Sequence, residues 1–247
     1  MLPSPETFEV RLVAASLMTS RVRAMTFERV GGAPFHFQAG QWVQLRFPVQ
    51  DEKGRPLRRS YSIASPPEGT ARFELAVTRV DEGPASGYLH EMAVGGALEA
   101  MGPQGHFVRP LETSAPALFI ATGTGLAPFR AMVHDALRAG RTEPLWVLLG
   151  VRTPEDVLWE DELRALERAH SCFRLEVTLS RPPPAWAGRS GRVQQHVRPL
   201  WEALVAASPS PPDAWLCGVK SMLDEVRGIL RDELGLPRQR VHAESYG

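Results

Sequence analysis

Apolar and polar residues alternate along the first third of the chain, from Phe8 to about Val80. A period of two is typical of half-buried β-strands. The alternating apolar positions are Phe35 and Phe37; Val43, Leu45 and Phe47; Tyr61 and Ile63; and Phe73, Leu75 and Val77. Turn-forming residues separate these runs at 31–32, 39–40, 51–56 and 65–67. Short strands with regular breaks predict an antiparallel barrel or sandwich.

The pattern changes in the second half, where short apolar runs alternate with segments of helical period. The runs lie at 117–121, 145–149, 173–179 and 214–217, and the helical segments lie at 128–138, 156–168, 193–206 and 222–234. Strands that alternate with helices predict parallel βαβ units. A short helix at 86–92 and a strand near Leu98 complete the first half. We place the boundary between Phe107 and Pro116, which predicts domains at 1–112 and 113–247.

Composition narrows the class of protein. Hydrophobic residues make up 43% and charged residues 23%, as in ordinary globular chains. The 28 basic and 28 acidic residues cancel, whereas a protein that binds nucleic acid is expected to carry a basic excess. The 2 cysteines, Cys172 and Cys217, are too few for a disulfide framework or for the four thiolates of an iron–sulfur cluster. We therefore expect no nucleic-acid partner and no cluster within the chain.

Targeting signals are not evident in the sequence. Residues 1–10 contain neither a basic region nor an apolar run, so we expect no signal peptide. The longest uncharged stretch, 113–129, is shorter than the roughly 20 apolar residues of a membrane-spanning helix, and it contains glycine and proline. These observations predict a cytoplasmic protein without membrane insertion.

A glycine-rich turn follows the first apolar run of the second half, with the sequence Gly123-Thr124-Gly125-Leu126-Ala127-Pro128. A strand, a glycine turn and a helix start in that order make an anion site, because free N–H groups and the helix dipole face the ligand. The glycines allow a pyrophosphate to approach the backbone. Pro128 suits the first helical position, although the usual dinucleotide fingerprint has a glycine there. A tight turn without a ligand is the alternative.

Several motifs together give the chain a resemblance to a known family. They are Phe37-Gln38-Ala39-Gly40-Gln41, Arg59-Ser60-Tyr61-Ser62, Gly83-Pro84-Ala85-Ser86, Gly102-Pro103-Gln104-Gly105, the turn from Gly123 to Pro128, Cys217-Gly218, and Glu244-Ser245-Tyr246. In this order they resemble the ferredoxin–NADP reductase superfamily of flavoproteins, from about Phe35 to Tyr246. The resemblance implies an N-terminal antiparallel FAD-binding β-barrel followed by a Rossmann-like parallel α/β NAD(P)-binding domain.

The flavin motif contains residue types that suit FAD. The Tyr61 ring offers a flat apolar face to an isoalloxazine, Ser62 can hydrogen-bond the flavin edge near N5, and the Arg59 fork suits a pyrophosphate. Packing across the barrel is the alternative role for Tyr61. Ser86 either caps the helix that starts near it or, as in the family, helps to hold the pyrophosphate.

The resemblance also implies roles in the second domain. Thr124 lies by the nicotinamide, Cys217 and Gly218 lie near the point where it meets the flavin, and Glu244 serves the proton and polar contacts. Tyr246 covers the other flavin face, although Gly247 follows it here, unlike in plant-type members. A small buried residue is the alternative role for Cys217.

Basic residues follow the third parallel strand, at Ser180-Arg181 and in Gly188-Arg189-Ser190-Gly191-Arg192. NAD-preferring members of the family often carry an acid at this place. Ser180, Arg181, Arg189 and Arg192 therefore predict a 2′-phosphate pocket, with a solvated loop as the alternative. We expect FAD and NADP as cofactors, with NAD as the other coenzyme.

The resemblance implies an enzyme that passes electrons from NADPH through FAD to a separate small electron-carrier protein, such as ferredoxin or flavodoxin, or to an oxygenase component. A reductase of free flavin or of another small acceptor is the second hypothesis. A nucleotide-sensing subunit of a larger complex is the third. The histidines show no spacing typical of metal ligands, so we predict no metal site.

Overall fold

The computed structural model describes residues 5–50 and 53–246. The predicted features at 1–4, the first two residues of the turn at 51–56, and Gly247 lie outside this part. The chain divides into two compact units. Unit 1 runs to Arg109 and includes Ala127–Asp135, and unit 2 comprises Pro110–Leu126 and the chain from Ala136 onwards. Within the described ranges no helix is long and apolar enough to cross a membrane.

The described residues of unit 1 up to Arg109 form six antiparallel strands and one short helix. They are β1 (Glu6–Leu17), β2 (Val22–Arg29), β3 (Trp42–Gln50), β4 (Pro56–Ser62), β5 (Arg72–Thr78), α1 (Pro84–Glu91) and β6 (Ala97–Gln104). The sheet order is β4-β3-β6-β1-β2-β5. The two outer strands meet where the Ala64 N–H donates to the Glu74 carbonyl at 2.8 Å, so the sheet curls into a barrel.

The barrel core is rich in phenylalanine. Phe35 is 1% exposed and its ring centroid lies 5.0–5.4 Å from those of Phe8, Phe37 and Phe73. The predicted strand through Phe35 and Phe37 is wrong, since residues 33–39 form no regular element. Both rings point into the core from an irregular segment, and this orientation alone produces the alternation. Outside the strands, the Phe35 N–H is held by the Thr70 carbonyl at 2.8 Å.

The rest of the chain alternates strands and helices. They are β7 (Ala117–Thr122), α2 (Leu126–Arg138), β8 (Leu145–Val151), α3 (Glu160–Ala169), β9 (Phe173–Leu179), β10 (Arg189–Ser190), α4 (Gln194–Ala206), β11 (Asp213–Val219), α5 (Lys220–Gly228) and β12 (Val241–Tyr246). All pairs in this sheet are parallel, in the order β10-β9-β8-β7-β11-β12. The predicted fold class, an antiparallel barrel followed by a parallel α/β sheet, is confirmed.

The central strand, β7, determines where a ligand can bind. Its apolar residues are fully buried, as expected of a parallel strand covered on both faces. The chain leaves β7 towards β8 on one side and later returns to β11 on the other. The carboxyl end of β7 is therefore a topological switch point, the usual binding crevice of open α/β sheets.

The structure differs from the predicted elements at several ends. β10 and β12 were not predicted. The helix predicted from 156 begins at Glu160, because a 3-10 turn at Pro154–Asp156 closes on a Thr153–Asp156 capping box. The helix predicted to reach 234 is α-helical only to Gly228 and continues as a π-turn over Ile229–Glu233.

The outer edge of β9 is closed by side chains from α3. Glu167 Oε1 accepts the Leu175 N–H at 2.9 Å, and Arg164 Nη1 donates to the Leu175 carbonyl at 2.8 Å. Arg164 and Glu167 are themselves paired at 2.8 Å. A surface ion pair thus satisfies both backbone groups of a residue that has no strand neighbour on that side.

We expect Glu167→Ala to lower the free energy of unfolding by about 1–3 kcal/mol, because the Leu175 N–H loses its acceptor. The measurement is urea unfolding followed by tryptophan emission. The control is Glu202→Ala, since the Glu202 side chain is 61% exposed and lies 3.8 Å from Arg198. That substitution should change stability by less than about 0.5 kcal/mol. Equal effects of the two substitutions would contradict the assignment.

Candidate functional site

The glycine turn continues directly from β7. Gly123–Gly125 forms a 3-10 turn, and α2 begins at Leu126. Gly123 has φ +53°, and a Cβ there would meet nothing within 4 Å. Pro128 is therefore the third helical residue and not the first, as predicted, although it still lies in the first turn, where amides need no helical acceptor. The turn leaves open space beside bare backbone, which fits a bound phosphate group.

The turn packs closely against the end of β11. A Cβ on Gly125 would lie 2.3 Å from the Cys217 carbonyl oxygen. Gly218 has φ +152°, and its Cβ would lie 2.3 Å from Thr122 Oγ1. No larger residue fits at either position without a shift of the backbone. The ends of β7 and β11 are thus closer together than side chains would allow.

Thr122 is a residue that the sequence analysis missed. Its Oγ1 is buried, and no other described group forms a hydrogen bond with it. A buried hydroxyl without a partner is costly unless a ligand or water supplies one. The hydroxyl lies at the carboxyl end of β7, directly before the open glycine turn, so it fits the polar groups of a nucleotide coenzyme. A threonine immediately before the first glycine was the signal available in the sequence.

The predicted catalytic residues of unit 2 lie together at the same end of the sheet. In the β11–β12 register Cys217 pairs with Glu244, Gly218 with Ser245 and Val219 with Tyr246. Cys217 is fully buried. Burial raises the pKa of its thiol; the nearby Tyr246 hydroxyl acts in the opposite direction, and the Glu244 carboxylate raises the pKa further. The thiol is therefore neutral at physiological pH, which favours a packing or polarising role over that of a nucleophile.

The flavin motif lies at the end of β4. Arg59 is exposed, Ser62 is buried and Tyr61 is half-buried. Arg59 and Tyr61 share one face of the strand because side chains alternate. Burial raises the pKa of Tyr61 to about 12, with Arg59 acting in the opposite direction, so the phenol remains a hydrogen-bond donor. An aromatic face, a phenol, a hydroxyl and a guanidinium within four residues form a donor set that fits a flavin nucleotide.

Ser86 does not cap its helix. The N-cap of α1 is Gly83 and Pro84 is the first helical residue. The Ser86 hydroxyl instead accepts the Val80 N–H at 3.0 Å and lies 3.1 Å from the Gly83 carbonyl, to which it donates. The capping alternative is therefore wrong. The first backbone bond of the helix is Gly87 N–H to Gly83, so the amides of Ala85 and Ser86 precede the helical ladder and can face an anion.

The arginines after β9 differ in their surroundings. Arg189 Nε donates to Glu176 Oε2 at 2.8 Å, which draws its side chain back towards the amino end of β9. The Arg189 carbonyl accepts the Trp186 indole N–H at 2.8 Å. Arg181 and Arg192 are exposed, and neither guanidinium has a hydrogen bond or ion pair with the residues described, although the backbones of both are hydrogen-bonded. Ser180 is also exposed at the carboxyl end of β9.

Two known domain families and several known proteins are similar to this chain. Residues 9–108 match the oxidoreductase FAD-binding domain, and residues 119–228 match the oxidoreductase NAD-binding domain. Over 242 residues the chain is 48% identical to ferredoxin–NADP reductase B of Sorangium cellulosum, and the match covers 98% of each chain. It is 30% identical to the phenol hydroxylase P5 protein of Acinetobacter pittii over 86% of this chain but only 58% of that protein.

Solved structures agree with the fold. Amycolatopsis cytochrome P450 reductase GcoB superimposes with a TM-score of 0.83 at 28% identity, over 99% of this chain and 71% of that one. A ferredoxin NADP+ reductase from Neisseria gonorrhoeae with bound FAD and NADP superimposes with a TM-score of 0.78 at 21% identity, over 97% of this chain and 98% of that one. At that identity the second likeness concerns the fold alone.

The buried thiol predicts a loss of stability in alkali. The pKa of a cysteine thiol in the unfolded chain is about 8.5. The raised pKa of Cys217 keeps this thiol protonated in the folded chain well above that pH. Below that pH both states hold the proton and stability is unaffected. Above it the unfolded state releases the proton first, so the free energy of unfolding falls as pH rises. Tyr61 adds to the fall above about pH 10.

The measurement is the urea midpoint at pH 8 and pH 10. Cys217→Ala should show a smaller fall between the two than the wild type. Cys172→Ala is the control, because that thiol is only partly buried, and it should keep most of the fall. An identical fall in the wild type and Cys217→Ala would count against the neutral buried thiol.

Proposed function

Because the chain belongs to the ferredoxin–NADP reductase superfamily of FAD- and NAD(P)-binding oxidoreductases, we propose that it passes electrons from NADPH through FAD to a separate redox protein. In this proposal residues 1–112 form the FAD-binding domain and residues 113–247 the NAD(P)-binding domain. The observation that carries it is the meeting of Cys217, Glu244 and Tyr246 beside the glycine turn at the switch point of the sheet.

In the first domain the chain's own residues would bind and orient the flavin. Arg59 and the first amides of α1, at Ala85 and Ser86, bind the diphosphate as charged and dipolar donors. Tyr61 presents its ring face to the isoalloxazine, with its phenol protonated. Ser62 donates a hydrogen bond to the flavin edge near N5. When bound, FAD accepts the two electrons of a hydride and releases them one at a time, which a nicotinamide does not do readily.

In the second domain the turn at Gly123 and Gly125 binds the coenzyme diphosphate, and Thr124 contacts the nicotinamide end. Pro128 fixes the start of α2. Gly218 leaves the space that a side chain would fill. The neutral Cys217 thiol would pack near the nicotinamide end of the coenzyme without competing as a nucleophile. The Glu244 carboxylate would accept and release a proton beside the flavin.

Tyr246 would cover the flavin ring, so a free flavin would not enter easily as a substrate. The chain's cysteines are too few to build an electron-carrying cluster. The electrons must therefore leave to another protein. The names of the relatives support a ferredoxin, or the oxygenase component of a multicomponent system, as the acceptor. Flavodoxin is the other carrier of this chemical class.

The test is steady-state NADPH oxidation by the FAD-loaded protein. Ferredoxin, flavodoxin and an oxygenase component are offered in parallel with free FMN and riboflavin. We expect at least one carrier protein to saturate the enzyme, with an effective affinity that falls as salt rises. Far higher kcat/KM for free flavins, without saturation by any carrier, would support a flavin reductase instead. Absence of any NADPH oxidation would support a nucleotide-sensing subunit.

The coenzyme should be NADPH, because Arg181 and Arg192 are exposed cations at the carboxyl end of β9 and after β10. Ser180 adds a hydroxyl, whereas Arg189 is drawn to Glu176 and contributes mainly to the fold of the loop. One charge-assisted contact contributes about 1.5–3 kcal/mol, which corresponds to a preference of roughly tenfold or more over NADH.

We expect Arg181→Ala to lower kcat/KM for NADPH about tenfold and to leave that for NADH nearly unchanged. Arg198→Ala is the matched control, since Arg198 is an exposed arginine of the same unit that is paired with Glu233 on the helical side. It should leave both values unchanged. Equal use of the two coenzymes by the wild type would remove the 2′-phosphate assignment.

A further inference from the structure

The short helix α1 depends on contacts outside itself. It has 8 residues, from Pro84 to Glu91, and a helix of that length is not stable alone in water. Its first turn contains the amides that would bind the FAD diphosphate in the proposed function. The direction in which those amides point is therefore set by whatever holds the body and the far end of the helix.

Arg23 holds the far end. Its Nη1 lies 2.7 Å from the Leu89 carbonyl oxygen, 2.9 Å from that of His90 and 3.0 Å from that of Met92. These carbonyls belong to the last helical turn and the C-cap, and no backbone N–H within the helix donates to them. A positive charge at this end also matches the partial negative charge of the helix dipole. One guanidinium nitrogen thus binds three carbonyl oxygens at the carboxyl end of α1.

Arg23 is used differently from the other arginines near it. Among the residues described, it has no carboxylate partner, and its recorded bonds are all to those carbonyls of the α1 end. Arg21, two positions earlier, pairs with Asp81 at 2.8 Å and donates to the Arg79 carbonyl at 3.0 Å; the Arg21 and Asp81 side chains are 47% and 84% exposed. The Arg23 guanidinium therefore binds the end of α1, whereas the Arg21 guanidinium binds the exposed segment that follows β5.

The barrel wall supports the same end of the helix. Arg23 lies opposite Val77 in the pairing of β2 with β5. The Val77 carbonyl oxygen lies 2.9 Å from Nε2 of His90, in the last turn of α1. Leu89 is fully buried in the barrel core. The helix end is thus fixed to two adjacent strands, and a rigid helix of about 12 Å transmits that position to its first turn.

We propose that Arg23 is a positioning residue for FAD: by holding the carboxyl end of α1 it orients the first-turn amides at Ala85 and Ser86 towards the diphosphate. This rests on the proposed function, in which that turn contacts FAD. Arg23 itself does not touch the cofactor in this scheme. Its loss weakens FAD through the orientation of α1 and leaves the binding of NADPH to unit 2 unchanged.

The test is titration of the full-length apoprotein with FAD, followed by quenching of flavin fluorescence, for Arg23→Met, Arg23→Lys and Arg21→Met. Met keeps the length of the side chain without its donors, and we expect a dissociation constant about tenfold higher than that of the wild type. Lys keeps the charge without the fork and should give an intermediate value. Arg21→Met, which removes the exposed pair with Asp81 and the bond to the Arg79 carbonyl but no contact with α1, should match the wild type.

Two further readouts separate positioning from a general loss of stability. Visible circular dichroism of the FAD-saturated Arg23→Met protein should differ from that of the wild type. Loss of Arg23 displaces α1, and the flavin that α1 helps to hold then binds in a different orientation. The dissociation constant for NADPH should stay within twofold of the wild type. Arg23→Met with wild-type FAD affinity and spectrum would overturn the proposal.

If Arg23→Met does not fold, Arg23→Lys decides the matter, and FAD affinity within twofold of the wild type would then overturn it. Parallel loss of FAD and NADPH affinity in the Arg23 variants would also overturn it, since that outcome indicates a general defect. Failure of the wild type to bind FAD would reject the proposed function instead. The two failures are therefore distinguishable.

Discussion

The close approach of two strand ends is the constraint on which the candidate site depends. Gly125 lies against the Cys217 carbonyl, and Gly218 lies against Thr122, at distances that exclude a Cβ. This contact brings the glycine turn, which is proposed to bind the coenzyme diphosphate, next to the end of β11. Because β12 pairs in register with β11, it also fixes where Glu244 and the residues after it stand. A shift at either glycine would move every group of unit 2 that is proposed to meet the nicotinamide.

Those parts of the fold and site that local sequence encodes could be predicted. The continuous apolar run of β7, the glycines after it and the change of period between the halves each reflect a strong local requirement. Phe35 and Phe37 show where this fails, since burial from an irregular segment gives the same alternation as a strand. β10 is too short to show a period at all, and β12 reads as a polar tail whose strand form comes from pairing with β11.

The charged residues of the site were the hardest to interpret from sequence, because an arginine's role depends on which acceptors the fold brings to it. Arg189 and Arg181 lie in one basic segment, yet the Arg189 side chain pairs with Glu176 and no described group pairs with the Arg181 side chain. Arg23 gave no signal, since its acceptors are backbone carbonyls 66–69 residues away. Thr122 carried a local signal beside the glycines, but its missing partner is visible only in three dimensions.

The side-chain cover on β9 has a consequence for how this protein can change. An open strand edge invites pairing with another chain and subsequent aggregation. Here Arg164 and Glu167 occupy the edge from α3, independently of the long loop that follows β9. That loop can therefore gain, lose or exchange residues without uncovering an adhesive edge at Leu175. Substitutions in the loop that is proposed to select the coenzyme can therefore accumulate while a separate helix, α3, keeps this strand edge covered.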